Sequence, residues 1–302
     1  MAFTLKKGAV SLRIEGPGER YRGCRFDRNG TVVSARFRGV EFLGEERPFP
    51  PGNRARFGRG LHNEFGIKTC IGYDQCAVGD WFPKIGVGWL KKTAEPYRFF
   101  GEYEMEPLSF GEPEVGDGRI SFSCASGARN GWGYEYTKEI ALEDDGFTIR
   151  YTLGNTGEKG LATEEYVHNF LRIGGARLGP RYRLSLPWCP DRSRFDEFVD
   201  PEGALNLFGD EIGFNGPVRR VFFLGGLANG IREENGLAAR WKLTDERRAL
   251  SVSETGSFLP SGMNIWGHGG VISPEMFHSF SVEAGNIVTW ERRYAFEAAK
   301  GR

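Results

Sequence analysis

The sequence predicts an all-β protein, a large twisted antiparallel β-sandwich, on three observations. Short segments alternate apolar and polar residues, the period-two signature of a half-buried strand: Ala9 to Ile14, Thr31 to Phe37, Arg119 to Ser123 and Thr148 to Leu153. Turn residues bound them, among them Arg28-Asn29-Gly30, Gly116-Asp117-Gly118, Asp144-Asp145-Gly146 and Asn155-Thr156-Gly157. A strand-and-turn spacing of about ten residues suits a sandwich or barrel. Third, no amphipathic helix beyond one or two turns is evident, the one candidate lying around Glu202 to Phe208.

Between these strands, Glu45 to Arg59 is rich in Pro, Gly and Arg and reads as a long irregular loop, a type that tends to be functional or mobile. The apolar run Trp81 to Trp89 is interrupted by Lys84, which either snorkels at an edge or points into a cleft; the edge is the favoured reading. No composition break divides the chain and no fixed-period repeat is evident, so residues 1–302 are expected to form one unit.

With 24 Phe and 7 Trp the chain can fill a sizeable core. Its 40 basic and 40 acidic residues cancel, and no Lys/Arg-rich run marks a nucleic-acid partner. No apolar stretch approaches the ~18 residues of a membrane span, and the amino terminus, Met1 to Gly8, lacks a signal-like apolar core. The cysteines at 24, 70, 76, 124 and 189 lack zinc-site spacing. Reduced thiols in a cytoplasmic protein, monomer or homodimer, without metal or cofactor, are the expectation.

One segment stands out for chemistry. Glu164-Glu165-Tyr166-Val167-His168-Asn169-Phe170-Leu171-Arg172-Ile173-Gly174-Gly175 sets one of four histidines among aromatic and aliphatic residues before a double glycine. An imidazole of ordinary pKa, ~6.5, serves as acid or base at neutral pH. Standing alone, such a histidine is more often a core residue bonded to backbone. A second segment, Asn264-Ile265-Trp266-Gly267-His268-Gly269-Gly270-Val271-Ile272-Ser273-Pro274-Glu275-Met276-Phe277, is expected to end a strand at Pro274, which lacks a backbone donor, and to present Glu275 there.

Together these segments resemble the galactose mutarotase (aldose 1-epimerase) superfamily. His168 to Gly175 resembles that family's histidine motif, and Thr152 to Gly157 the strand and turn before it. Ile272 to Phe277, with Val282-Glu283-Ala284-Gly285, resembles the closing strands that carry a catalytic glutamate. Arg59-Gly60-Leu61-His62-Asn63-Glu64-Phe65-Gly66 is a weaker match to an upstream histidine, with Asn63-Glu64 standing where a glycine pair is expected. Gly30 to Gly44 is similar to the family's opening hairpin. The likeness spans nearly the whole chain and implies the galactose mutarotase-like supersandwich. It leaves a substrate-binding aspartate unplaced among Asp191, Asp196, Asp200 and Asp210.

The resemblance implies that Glu275 is the base taking the proton from an anomeric hydroxyl and His168 the acid protonating the ring oxygen, the sugar opening and reclosing as the other anomer. On that view His168 carries its proton and Glu275 stays ionised, in a polar site or near a cation. His62 would hydrogen-bond a hydroxyl or the ring oxygen. Arg59 and Arg54 could grip hydroxyls, a carboxylate or a phosphate. Trp266 and Trp188 could offer a stacking face, although lone tryptophans are more often core. Lys84 and His268 complete the candidates, His268 as a reserve imidazole. The expected partner is a small-molecule carbohydrate.

Two other readings stay open. The fold also serves as a non-catalytic carbohydrate-binding sandwich, and the same acid/base pair could act as a lyase or hydrolase on a sugar derivative. A titratable pair argues against pure binding, and a usual glycosidase would employ two carboxylates.

Overall fold

In the computed structural model, which describes residues 1–46, 54–68 and 70–299, two large antiparallel sheets carry nearly all the regular structure. The first runs in the order Ala2–Lys7, Val10–Glu15, Thr31–Phe37, Leu61–Phe65, Leu161–Asn169, Val271–Val282, Gly262–His268, Phe222–Gly225 and Glu197–Val199, with Val40–Glu41 paired beside Thr31–Phe37. The second is built around Arg119–Ala125, Tyr134–Leu142, Gly146–Asn155, Ile287–Ala298, Leu250–Gly256 and Arg240–Asp245. A three-stranded sheet, Trp81–Lys84, Gly88–Lys91 and Met105–Pro107, stands apart.

The alternation read from the sequence maps onto these strands. Thr31–Phe37 buries Val33, Ala35 and Phe37, leaves Ser34 and Arg36 more exposed between them, and turns back through Arg38 and Gly39, both at positive φ, the geometry of a tight hairpin. Between the sheets, Phe42 packs on Phe296 with ring centroids 4.7 Å apart, and Phe65 on Tyr136 at 5.6 Å. The inward faces therefore meet in one aromatic core.

Two expectations fail. Glu202 to Phe208 holds no helix: Leu205–Phe208 is a strand hairpinned onto Glu211–Phe214, its turn at Gly209 and Asp210. Nor does Pro274 end a strand, since Val271–Val282 runs through it. Pro274 faces Ile265 on one side, while its carbonyl points toward the neighbouring strand and accepts from Asn169 Nδ2 at 2.7 Å. A residue's N–H and C=O share one edge of a strand. The missing donor therefore lies in a stretch where the ladder between Leu161–Asn169 and Val271–Val282 is already open. That ladder pairs Leu161 to Glu165 with Val282 to His278, then resumes only at the bridge of Leu171 with Ile272.

A buried ionic network ties the two sheets together behind this opening. Arg292 of the second sheet donates to Glu165 of the first at 2.7 Å and to Glu254 at 2.5 Å. Asn169 Nδ2 and Trp241 Nε1 also donate to Glu254, and Tyr294 donates to Asn169 Oδ1. Every member is buried, so the charges are paired as burial requires. The five cysteines are free thiols. Among the described residues no helix is long and apolar enough to cross a membrane.

Candidate active site

Period-two geometry decides which side chains meet. On Leu161–Asn169, Glu165, Val167 and Asn169 point to the inter-sheet core, so Tyr166 and His168 point to the outer face of the first sheet. His62 lies directly opposite His168, and Glu64 opposite Tyr166. On the other side the open ladder leaves His168 Nε2 3.4 Å from Glu275 Oε1. Glu275 in turn lies opposite Asn264, and Ser273 opposite Trp266. Four adjacent strands thus set His62, His168, Glu275 and Asn264 in one row.

Aromatic rings enclose that row. Phe170 stacks on His168 with centroids 4.1 Å apart, and Trp266 meets it edge-on at 5.1 Å. Phe26 covers His62 at 4.9 Å and touches His168 at 5.8 Å. The loop bearing Arg25 and Phe26 is anchored by Asp27, whose carboxylate pairs with Lys138 of the second sheet and accepts from Tyr136. Gly86 makes that anchor possible: at φ 73° a Cβ there would stand 2.3 Å from Asp27 Oδ1.

Beside the histidines lies a polar cluster that sequence reasoning passed over. Arg25 donates through Nε to Glu64 at 2.9 Å and through Nη2 to the Tyr166 hydroxyl at 3.1 Å. Tyr166 also donates to Glu64. Lys84 is buried, not at an edge: its ammonium lies 3.9 Å from Glu64 and donates to Tyr97 at 3.2 Å. The departure at Asn63-Glu64 was the available signal. Asn63 faces the core and donates to Glu165, while Glu64 faces outward and collects both cations.

Burial sets the protonation of the pair. Desolvation pushes the Glu275 carboxyl up to about 8, with Arg25 and the Ser273 hydroxyl opposing it and Glu64 adding to it. Desolvation also drives His168 well below the usual imidazole range, helped by the Arg25 cation and by His62. Both shifts run against the expectation of an ionised Glu275 beside a charged His168 and favour a neutral imidazole facing a protonated carboxyl. His62 is likewise held neutral, by burial first and then by Arg20, Lys138 and Arg25. The Asp27 backbone lies near its ring, but neither ring nitrogen forms a hydrogen bond of good geometry, and His168 Nδ1 also lacks one. For Arg25, burial opposes the cation but Glu64, Tyr166 and Glu46 outweigh it.

Other candidates fall elsewhere. Arg59 pairs with Glu45 at 3.7 Å. His268 is a fastener: Nδ1 accepts from Gly270 N–H at 3.0 Å, so Nε2 donates to the Glu46 carbonyl at 2.8 Å, and no ring nitrogen is left for a substrate. Trp188 is buried with its Nε1 toward the Leu227 carbonyl. Asp191 caps a short 3-10 turn, and Asp200 accepts from Ala204 and Leu205 N–H. The Arg54 side chain and residues 47–53 of the irregular loop lie outside the described residues. Among the described residues no three His, Cys, Asp or Glu side chains converge to hold a metal ion.

His168 is only 2% and Glu275 4% exposed. Two cavities flank the pair. A cavity of about 640 Å³ reaches in from the side of Tyr21, Arg25 and Glu46. A smaller one of about 250 Å³ abuts Asn264 and Phe277, the residues opposite and two along from Glu275.

No family model matches the chain, and no curated protein matches it by sequence. Solved structures do. A galactose mutarotase related enzyme from Lactobacillus acidophilus superposes with a TM-score of 0.60 at 9% identity, covering 100% of this chain and 99% of the other. A galactose mutarotase-like protein from Lactobacillus casei ATCC 334 gives 0.58 at 14%, covering 98% and 100%. One from Clostridium acetobutylicum gives 0.58 at 11%, covering 98% and 95%. Over its whole length, and at sequence identities too low to speak for activity, the chain has the galactose mutarotase-like fold.

Proposed function

We propose that the protein is an aldose 1-epimerase-like isomerase that interconverts the anomers of a sugar through His168 and Glu275. The observation that carries this reading is the facing pair itself, an imidazole and a carboxyl 3.4 Å apart on the outer face of the first sheet. A binding module needs no such pair, and a lyase or hydrolase has no specific observation in its favour.

Anomer exchange moves two protons and breaks one ring bond. One group removes the proton from the C1 hydroxyl while another delivers a proton to the ring oxygen. The C1–O5 bond breaks, leaving an open-chain aldehyde; rotation about C1–C2 and the reverse transfers close the other anomer. Closure reverses the roles, so each group serves as acid and as base. The pair needs one shared proton for this, and a neutral His168 with a protonated Glu275 holds the same count as the imidazolium and carboxylate of the family assignment. Burial favours the uncharged form at rest. Each positioned group supplies ~10²–10⁴-fold.

His62 fits a hydroxyl-binding role, since a buried polar atom left unpaired costs ~1–3 kcal/mol and its ring nitrogens make no well-formed bond. Arg25, one fifth exposed, spans the larger cavity and the buried cluster and would move aside as the sugar ring enters. An NMR exchange assay over a panel of free and phosphorylated aldoses tests the reading: accelerated exchange for at least one sugar is expected, and none for any would refute it.

A further inference from the structure

The smaller flanking cavity is a built groove. Its floor continues the outer face of the first sheet through Asn264, Gly262, Phe277 and Ser279; its wall is Asp196 with the turn carrying Gly226 and Asn229; Lys68 and Glu164 close the far side. The wall is held rigid by Asn229, which donates to Asp196 Oδ1 and to the Arg194 carbonyl, both at 2.9 Å. Gly226, at φ 74°, lets it fold this closely: a Cβ there would stand 2.5 Å from Asn229 Nδ2 and 2.6 Å from Asp196 Oδ2.

Polar functions are left free around this space. Asn264 Oδ1 accepts from Gly226 N–H at 3.1 Å, which leaves its amino group to donate. Among the described residues, Asp196 Oδ2 and the Lys68 ammonium carry no hydrogen bond or ion pair. Ser279 donates to Ser261, whose own proton stays available. Apolar surface comes from Phe223 and Phe277, the latter stacked on Tyr166 at 4.8 Å. Aromatic faces with converging carboxylate, amide, hydroxyl and ammonium groups suit a polyhydroxylated ring. Three carboxylates, Glu164, Asp196 and Glu197, against one lysine select against an anion. At about 250 Å³ the groove has room for one monosaccharide unit.

Its position supplies the rest. Asn264 stands directly opposite Glu275, so the groove begins one strand spacing, ~4.8 Å, from the catalytic carboxyl. We propose that this groove is a second carbohydrate subsite, holding the neighbouring unit of a neutral reducing disaccharide or longer saccharide whose reducing-end unit engages His168 and Glu275. This rests on the isomerase reading for the placement of the reducing end, but not for binding in the groove.

Methyl glycosides separate the two, because they cannot mutarotate. Titration calorimetry with methyl maltoside, methyl cellobioside and methyl lactoside, against methyl glucoside and methyl galactoside, should show at least one disaccharide binding about tenfold more tightly than its monosaccharide. Lys68→Ala and Asn264→Ala should each erode that advantage, and Lys68→Ala, remote from the row of His168 and Glu275, should leave monosaccharide affinity unchanged; Lys68 is exposed, so its variant tests binding without risk to folding. Equal affinity for both sizes, no disaccharide binding, or an advantage untouched by both variants would overturn the subsite. Disaccharide binding without anomer exchange on any free sugar would instead refute the isomerase reading and leave the groove standing.

Discussion

His168 and Glu275 face each other, Nε2 3.4 Å from Oε1, across a gap where two neighbouring strands stop pairing. Asn169 fills the inner side of that gap, donating its backbone N–H to Ser273 and its side chain to the Pro274 carbonyl. The outer side is left to the pair. The open stretch of that ladder, at Pro274, is where two titratable groups from distant segments meet.

The raised pKa of Glu275 makes folding depend on pH. Its folded-state pKa, about 8, lies above the ordinary carboxyl value, so the unfolded chain gives up this proton first as pH rises. The contribution is fully present below ~4.3, the unfolded value, and is lost as pH climbs through about 8. Glu275→Gln, which does not titrate, should gain stability over wild type progressively between pH 5 and 8, read from urea midpoints. A difference constant with pH would contradict the buried, protonated carboxyl.

On the proposed isomerase reading the same groups set the activity profile. Loss of the shared proton should depress kcat/KM above about pH 8, and charging of His168 should depress it only well below the usual imidazole range. Arg25 pulls the Glu275 pKa down. Arg25→Met should therefore move the alkaline limb to higher pH, whatever it does to the plateau. An unmoved limb would mean that Arg25 does not act on the pair.

Behind the site, Arg292 bridges Glu165 and Glu254 with all three side chains fully buried. Removing one member of a buried ion pair costs ~3–5 kcal/mol. Arg292→Met, leaving two carboxylates without their cation, should lose that much in urea unfolding. A loss below about 1 kcal/mol would show that the carboxylates are neutral or find water.

Local signals carried the architecture a long way. Thr31–Phe37 alternates from Val33 to Phe37, and the turns around Gly118, Gly146 and Gly157 stand where their residue types place them. Features that depend on distant partners were harder to read. Lys84 looks like an edge lysine until Glu64, twenty positions earlier, is brought beneath it. Arg25 carries no local mark of its role, which comes from Glu64 and Tyr166 in two other strands. Leu205–Phe208 is too short for its period to separate strand from helix. Protonation was the least legible property, because residue types indicate an acid and a base while desolvation decides which holds the proton.

The most direct test is two-dimensional exchange NMR on a responsive aldose at neutral pH, comparing wild type with His168→Asn and Glu275→Gln, each first shown to be folded. Exchange should be fast in wild type and fall ~10²–10⁴-fold in each single variant. It should fall little further in the double variant, because the two groups share one proton and act as a unit. Wild-type rates retained in either single variant would contradict the pair as the seat of catalysis.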